Sequence, residues 1–187
     1  MALPNEIGFA LKEWATVCSA LGVGRQIVLL RKGGIYESGG EFEIEHRQFL
    51  LFPTYLHQNA EMLKENQRSG LTNVTAEPDV IQISLAGEIT DIIPMKNRAV
   101  MDRLSDQHIW SAKLIDMRFN YRPENPLYLL LVRAYRLGSA ITIANTPAYA
   151  GCKSWVPLEE AASTGDSTAV LGDADYSGRR ETIFSRV

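Results

Sequence analysis

Residues 24–58 read GRQIVLLRKGGIYESGGEFEIEHRQFLLFPTYLHQ, and no later stretch carries as many structural signals in so short a span. Ile27 to Leu30 is a run of β-formers closed by Arg31 and Lys32, which predicts a short buried strand. Gly33-Gly34 and Ser38-Gly39-Gly40 supply the positive φ that tight turns need. Glu41 to Glu45 alternates acid and apolar residues, the pattern of a half-exposed strand whose acids face water. Phe49 to Phe52 is a second buried segment, stopped by Pro53.

Toward the N-terminus, Ile7, Leu11, Trp14, Cys18 and Leu21 recur at three- and four-residue spacing. That spacing predicts one amphipathic helix, capped by Asn5 and ended by Gly22, with Cys18 as a small buried hydrophobe on its apolar stripe. Toward the C-terminus, Gln58 to Gln67 has helical composition and Val80 to Ala86 alternates as a strand. Asn97 caps a helix running to about His108, and the second half of Trp110 to Phe119 reads as a strand. Leu127 to Leu137 is the strongest strand in the chain, Ile141 to Ile143 is an edge candidate, and Pro147 to Leu158 is a loop followed by a strand. Beyond Glu159 the composition turns to Ala, Ser, Thr, Gly and Asp, which predicts a flexible acidic tail. The expected organisation is therefore one globular α+β domain over residues 1–158 and a tail over 159–187.

The chain has 187 residues, of which 45% are apolar and 22% charged, ordinary values for one domain with a good core. No apolar run is long enough for a membrane helix, and the N-terminus lacks signal-peptide character, so a cytoplasmic protein with no membrane partner is expected. Two cysteines without a secretory signal predict reduced thiols. The net charge is −3, and from Glu159 onward six acidic residues face three basic ones, leaving 16 of each sign before it. A protein that grips duplex DNA through many phosphates shows a basic surplus. Any nucleic-acid site must therefore be a local cluster.

Such a cluster is available. Arg31, Lys32, Arg118, Arg133, Arg136 and Lys153 fall at strand ends or beside turns, where guanidinium forks suit phosphate or carboxylate. Tyr55 and Trp155 offer faces for base stacking, and His46, His57 and Gln58 flank the Phe52-Pro53-Thr54-Tyr55 corner with hydrogen-bonding edges. The expected ligand-binding set is Arg31, Lys32, His46, Tyr55, His57, Gln58, Arg133, Lys153 and Trp155. No nucleotide-binding glycine loop, zinc spacing or Glu-x-Lys nuclease motif is present, so neither a metal nor a cofactor is expected and no residue is assigned as catalytic. An enzyme using His57 or Cys152 on a small anionic substrate is the alternative from another class.

Four segments together resemble a bacterial family described as domain of unknown function 1802. They are Leu29-Leu30-Arg31-Lys32-Gly33-Gly34-Ile35, Phe49 to Tyr55 with His57-Gln58, Pro126 to Arg133, and Gly151-Cys152-Lys153-Ser154-Trp155. The resemblance spans about Leu11 to Leu158. It implies company with restriction-type endonuclease domains, hence a further alternative of a non-catalytic partner subunit of a restriction or defence system. It transfers no catalytic residue. At fold level, Gly24 and Arg31 are similar to the ends of the Gly-x-Lys-x-x-Glu-x-Arg signature of the ASCH branch of PUA-like domains, whose middle positions here hold Gln26 and Leu29. That likeness implies a mixed or antiparallel sheet curled into a PUA-like pseudobarrel with flanking helices, and binding of RNA or DNA or of a nucleotide-like ligand.

Overall fold

The computed structural model describes residues 3–32, 44, 46–71, 74–151 and 153–187. Strand β1 (Glu6–Trp14) runs directly into helix α1 (Ala15–Gly22), and then come β2 (Val28–Lys32) and β3 (Gln48–Thr54). Strand β4 (Val80–Met95) is followed by helices α2 (Ala99–Arg103) and α3 (Ala112–Asn120), and then by β5 (Leu127–Ala144), β6 (Trp155–Ser163), β7 (Thr168–Ala169) and α4 (Asp173–Phe184). The fold is α+β. Its sheet is ordered β2-β5-β4-β3-β1-β6, with β7 added to β5. Strands β1 and β3 are parallel and every other described pairing is antiparallel, so the sheet is mixed. Among the described residues its path is open, from β2 at one edge to β6 at the other.

Two apolar clusters occupy the two faces. Leu11 and Leu51 belong to one, Ala10 and Leu50 to the other, the alternation of strands covered on both sides. The first cluster takes in α1, α3 and α4. The second is built mainly from strands, with Ile7, Phe52, Ile83, Leu137 and Val156 coming from five of them, and takes in Tyr149 from a 3-10 turn. The sheet thus bends around its own side chains, helped by two register shifts in β4, at Ile83/Leu85 and Ile89/Asp91. Gly87 lets strands crowd at this bend, because a Cβ there would lie 2.9 Å from the Phe49 ring.

Three expectations are corrected. The predicted N-terminal helix is a strand for its first half: β1 pairs with β3 along one edge and β6 along the other, the two apolar clusters lie on its two faces, and a register shift between Ile7 and Phe9 breaks the alternation that would have marked it. Neighbouring strands override the helical spacing there. The predicted strand before Phe119 is helix α3, started by Ser111, whose hydroxyl accepts from Leu114 N at 3.4 Å. Trp110, Leu114, Ile115 and Phe119 are at helical, not alternating, spacing.

The third correction concerns the stretch from 159 onward, which is built into the domain rather than hanging from it. Strand β6 runs to Ser163, β7 pairs with Tyr135 and Arg136, and α4 buries Tyr176 and Ile183, seven residues apart on one helix face. Only two large buried side chains anchor α4, so its composition still reads as polar. Arg180 reaches Asp91 with two bonds of 2.7 and 2.5 Å, and Tyr176 Oη lies 2.7 Å from Thr90 Oγ1. Elsewhere, the expected helix over 58–67 is two short 3-10 turns, and the one after Asn97 breaks at Leu104. The turns at Gly33-Gly34 and Ser38-Gly40, and the strand over Glu41 to Glu45 apart from Ile44, lie outside the described residues.

Candidate functional site

On β1 the side chains of Phe9, Leu11 and Glu13 share one face, because strand residues alternate. Trp155 of β6 is paired with Leu11 and so joins that face. Its ring meets Phe49 edge-on at 5.3 Å and His46 at 5.4 Å, while His46 stacks on Phe9 at 3.7 Å. Phe9 is 40% exposed, which leaves one side of the stack open to solvent. The indole Nε1 is buried without an acceptor among the described residues.

Two residues further along the face, Glu13 meets Arg31 from the end of β2. Their ion pair measures 2.9 Å, and the two side chains are 12% and 11% exposed. Arg31 also donates to Lys12 O at 3.1 Å, and Glu13 accepts from Trp14 N at 2.8 Å. The Arg31 Nε–H has no acceptor among the described residues. Beside this pair stands Arg118 of α3. It makes no hydrogen bond or ion pair among the described residues, and its Nε is buried. Burial, followed by the neighbouring Arg31 charge, holds its guanidinium below the ordinary pKa. A cavity of about 20 Å³ lies between Glu13, Trp14, Trp110, Leu114 and Arg118. That is room for about one water.

Lys32 extends the cationic edge, with its ammonium donating to Phe119 O at 3.2 Å and its pKa lowered by burial. Arg31 and Arg118 therefore share a single hydrogen-bonded carboxylate, Glu13, while Lys32 turns to α3 and has Glu124 as its nearby acid. Three N–H donors, on Arg31, Arg118 and Trp155, are buried with no acceptor among the described residues. Buried donors are rarely left so, and each costs about 1–3 kcal/mol when unmet. Such a surplus of donors and positive charge suits an incoming anion.

Of the expected ligand-binding residues, Arg31, His46 and Trp155 thus lie along one face, and Lys32 follows Arg31 at the end of β2 against α3. The other five are elsewhere. Tyr55 and Leu56 donate their backbone N–H groups to the Glu77 carboxylate, and the Tyr55 ring turns toward a separate recess beside α1. His57 is exposed and has φ 67°, the left-handed geometry of a turn residue, so its position after β3 is a matter of chain reversal. Gln58 caps α1 from outside: its Oε1 accepts from Thr16 N and Thr16 Oγ1, both at 3.0 Å. Arg133 is paired with Asp173 and stacked over Tyr176 at 5.5 Å. It lies five residues beyond Tyr128, the cross-strand partner of Arg31, and an odd separation puts it on the opposite face of β5. Lys153 is exposed and makes no hydrogen bond or ion pair among the described residues, while Cys152 lies outside them.

Glu13 and Phe9 were missed because their segment reads as a helix. Strand alternation alone, Phe9-Leu11-Glu13, would have placed both beside Trp155. Cys18 is buried as expected, and burial raises its thiol pKa far above the ordinary range, so it is inert. Among the described residues no group of three His, Cys, Asp or Glu side chains is placed to hold a metal ion.

These features define a class of protein: an α+β domain whose curled mixed sheet carries a cationic recess beside an aromatic stack. The chain belongs to the family described as Domain of unknown function (DUF1802), whose model matches residues 10–182, a span that includes most of α4. Among curated proteins none matches the sequence. Among solved structures, the crystal structure of a ZmASCH mutant protein from Zymomonas mobilis is similar over 97% of this chain and 99% of that chain, at 10% identity and a TM-score of 0.46. No helix among the described residues is long and apolar enough to cross a membrane.

Proposed function

We propose that the recess formed by Arg31, Lys32, Arg118 and Trp155 binds a phosphate of single-stranded nucleic acid or of a nucleotide-like ligand, with a base against the Phe9–His46 stack. The observation that carries this reading is Arg118, a half-buried guanidinium with no partner among the described residues, next to an arginine already neutralised by Glu13. An anion meeting Arg118 supplies the missing charge and acceptor at once. The open side of Phe9 gives a base a surface to stack on.

The recess is small and the whole chain is acidic, so only one or two phosphates are engaged. Affinity for a short single strand then falls gently with salt, with a log–log slope of about −0.7 to −1.4. The test is a tryptophan-fluorescence titration with mixed-sequence trinucleotides, as RNA and as DNA, at low salt. The reading expects saturable quenching that weakens about 10- to 100-fold in Arg118→Met, the loss of one charge-assisted contact. No quenching with either oligonucleotide, or equal binding by the variant, would overturn it.

A further inference from the structure

Helix α1 stands off the sheet along a stripe of small residues, Ala15, Cys18, Ser19 and Gly22, at helical spacing. Between this stripe and strands β3, β4 and β5 lies a recess of about 390 Å³. That is within the usual range of small-molecule sites, roughly 300–1,000 Å³. Leu85 closes its inner end at Gly22, where a Cβ would come within 2.9 Å of the leucine side chain.

The lining is mixed in a directed way. On the apolar side are Leu51, Pro53 and Leu85, with the ring of Tyr55. The Tyr55 hydroxyl has no hydrogen-bond partner among the described residues, and burial raises its pKa, so it stays a neutral donor. At the Gly22 end, as the cross-strand partner of Leu85, stands Arg136. One of its terminal nitrogens donates to Gly22 O at 2.6 Å, which fixes the guanidinium against the last turn of α1. It has no carboxylate partner among the described residues. Its remaining N–H groups are therefore held in place, charged and available.

We infer that this recess is a second, separate binding site, for a small aromatic anion whose ring lies against Tyr55 and Leu85 and whose carboxylate or phosphate meets Arg136. The site shares no lining residue with the Arg118 cavity and does not rest on the function proposed above. No His, Asp, Glu or Lys among the described lining residues stands beside Ser19, Ser84 or Tyr55, and the inference concerns binding. Aromatic carboxylates and nucleoside monophosphates have this chemistry in common, and direct titration separates them.

The experiment is calorimetric titration of the full chain carrying Arg118→Met, which silences the first site, with benzoate, adenosine 5′-monophosphate and neutral adenosine as probes. Binding of at least one anion and of neither site's uncharged control is expected, weakened at least tenfold by Arg136→Gln. Because Arg136 also holds α1, Ser19→Leu is the second variant. Its position is exposed on the helix, so the fold is retained while the leucine fills the recess and abolishes binding. Absence of binding by both anions in the Arg118→Met background overturns the inference, as does an affinity unchanged by Ser19→Leu. Binding seen in the wild type and lost in Arg118→Met leaves the first site standing and removes the second.

Discussion

Arg31 and Arg118 are neighbours with opposite expected effects on stability. Replacing Arg118 by methionine keeps most of the side-chain volume and removes a buried donor that has no acceptor. It also removes the repulsion from Arg31 that, after burial, lowers the Arg118 pKa. An unmet buried donor costs about 1–3 kcal/mol, so with some volume mismatch the variant gains about 1–2 kcal/mol. For a chain of this length that raises the melting temperature by about 2–8 °C. Arg31→Met does the reverse, since it strands the Glu13 carboxylate, which is only 12% exposed. Breaking a largely buried pair costs about 3 kcal/mol or more, a fall of at least about 6 °C. The assay is thermal unfolding of both variants at neutral pH, with reversibility confirmed. A loss of stability in Arg118→Met comparable to that in Arg31→Met would refute the reasoning, because Arg118 would then have a partner and no vacancy to offer an anion.

Three further outcomes follow from the packing. Gly24 has φ 66° and a Cβ there would lie 2.6 Å from Leu171, so Gly24→Ala lowers stability by about 1–3 kcal/mol in denaturant unfolding. Ile183 is fully buried, and Ile183→Ala costs about 2–5 kcal/mol by the same measurement, whereas a residue in a loose tail would cost nothing. His108 is held neutral in the fold by burial and by the nearby Lys64 charge, its pKa pushed down to about 4. The unfolded chain takes up that proton first, so His108 contributes full stability above pH 6.5 and loses it progressively down to about pH 4, a total of about 3 kcal/mol. Melting curves between pH 7 and pH 4.5 should show this slope, flattened in His108→Gln.

Much of the sheet was legible from residue pattern. The runs at Ile27 to Leu30, Phe49 to Phe52 and Leu127 to Leu137 became β2, β3 and β5, because continuous apolar runs bounded by prolines, glycines or charges have few other solutions. What was not legible depended on neighbours. Strand β1 looks helical because apolar clusters lie on both of its faces, and α4 looks disordered because only two large buried side chains, two ion pairs and one tyrosine hydroxyl hold it. The site divided along the same line. Arg31, Lys32 and Trp155 stand at strand ends and could be named from sequence, and Arg118 was in the cationic cluster though outside the expected ligand-binding set, but Glu13, which neutralises Arg31, could not be named, since its strand reads as a helix. Arg133 shows the converse: it is identical in type and setting to Arg31, yet the parity of its position on β5 sends it to the other face.

The account turns on three N–H groups that have no acceptor among the described residues, the Nε–H of Arg31, the Nε–H of Arg118 and the indole N–H of Trp155. All three are visible in one ¹H–¹⁵N correlation spectrum. Added in steps at low salt, a single-stranded trinucleotide should shift these three resonances together, with one binding constant, while the Nε–H of Arg180, already engaged by Asp91, stays in place. Three unmoved resonances at saturating oligonucleotide, or shifts confined to other arginines, would contradict the account.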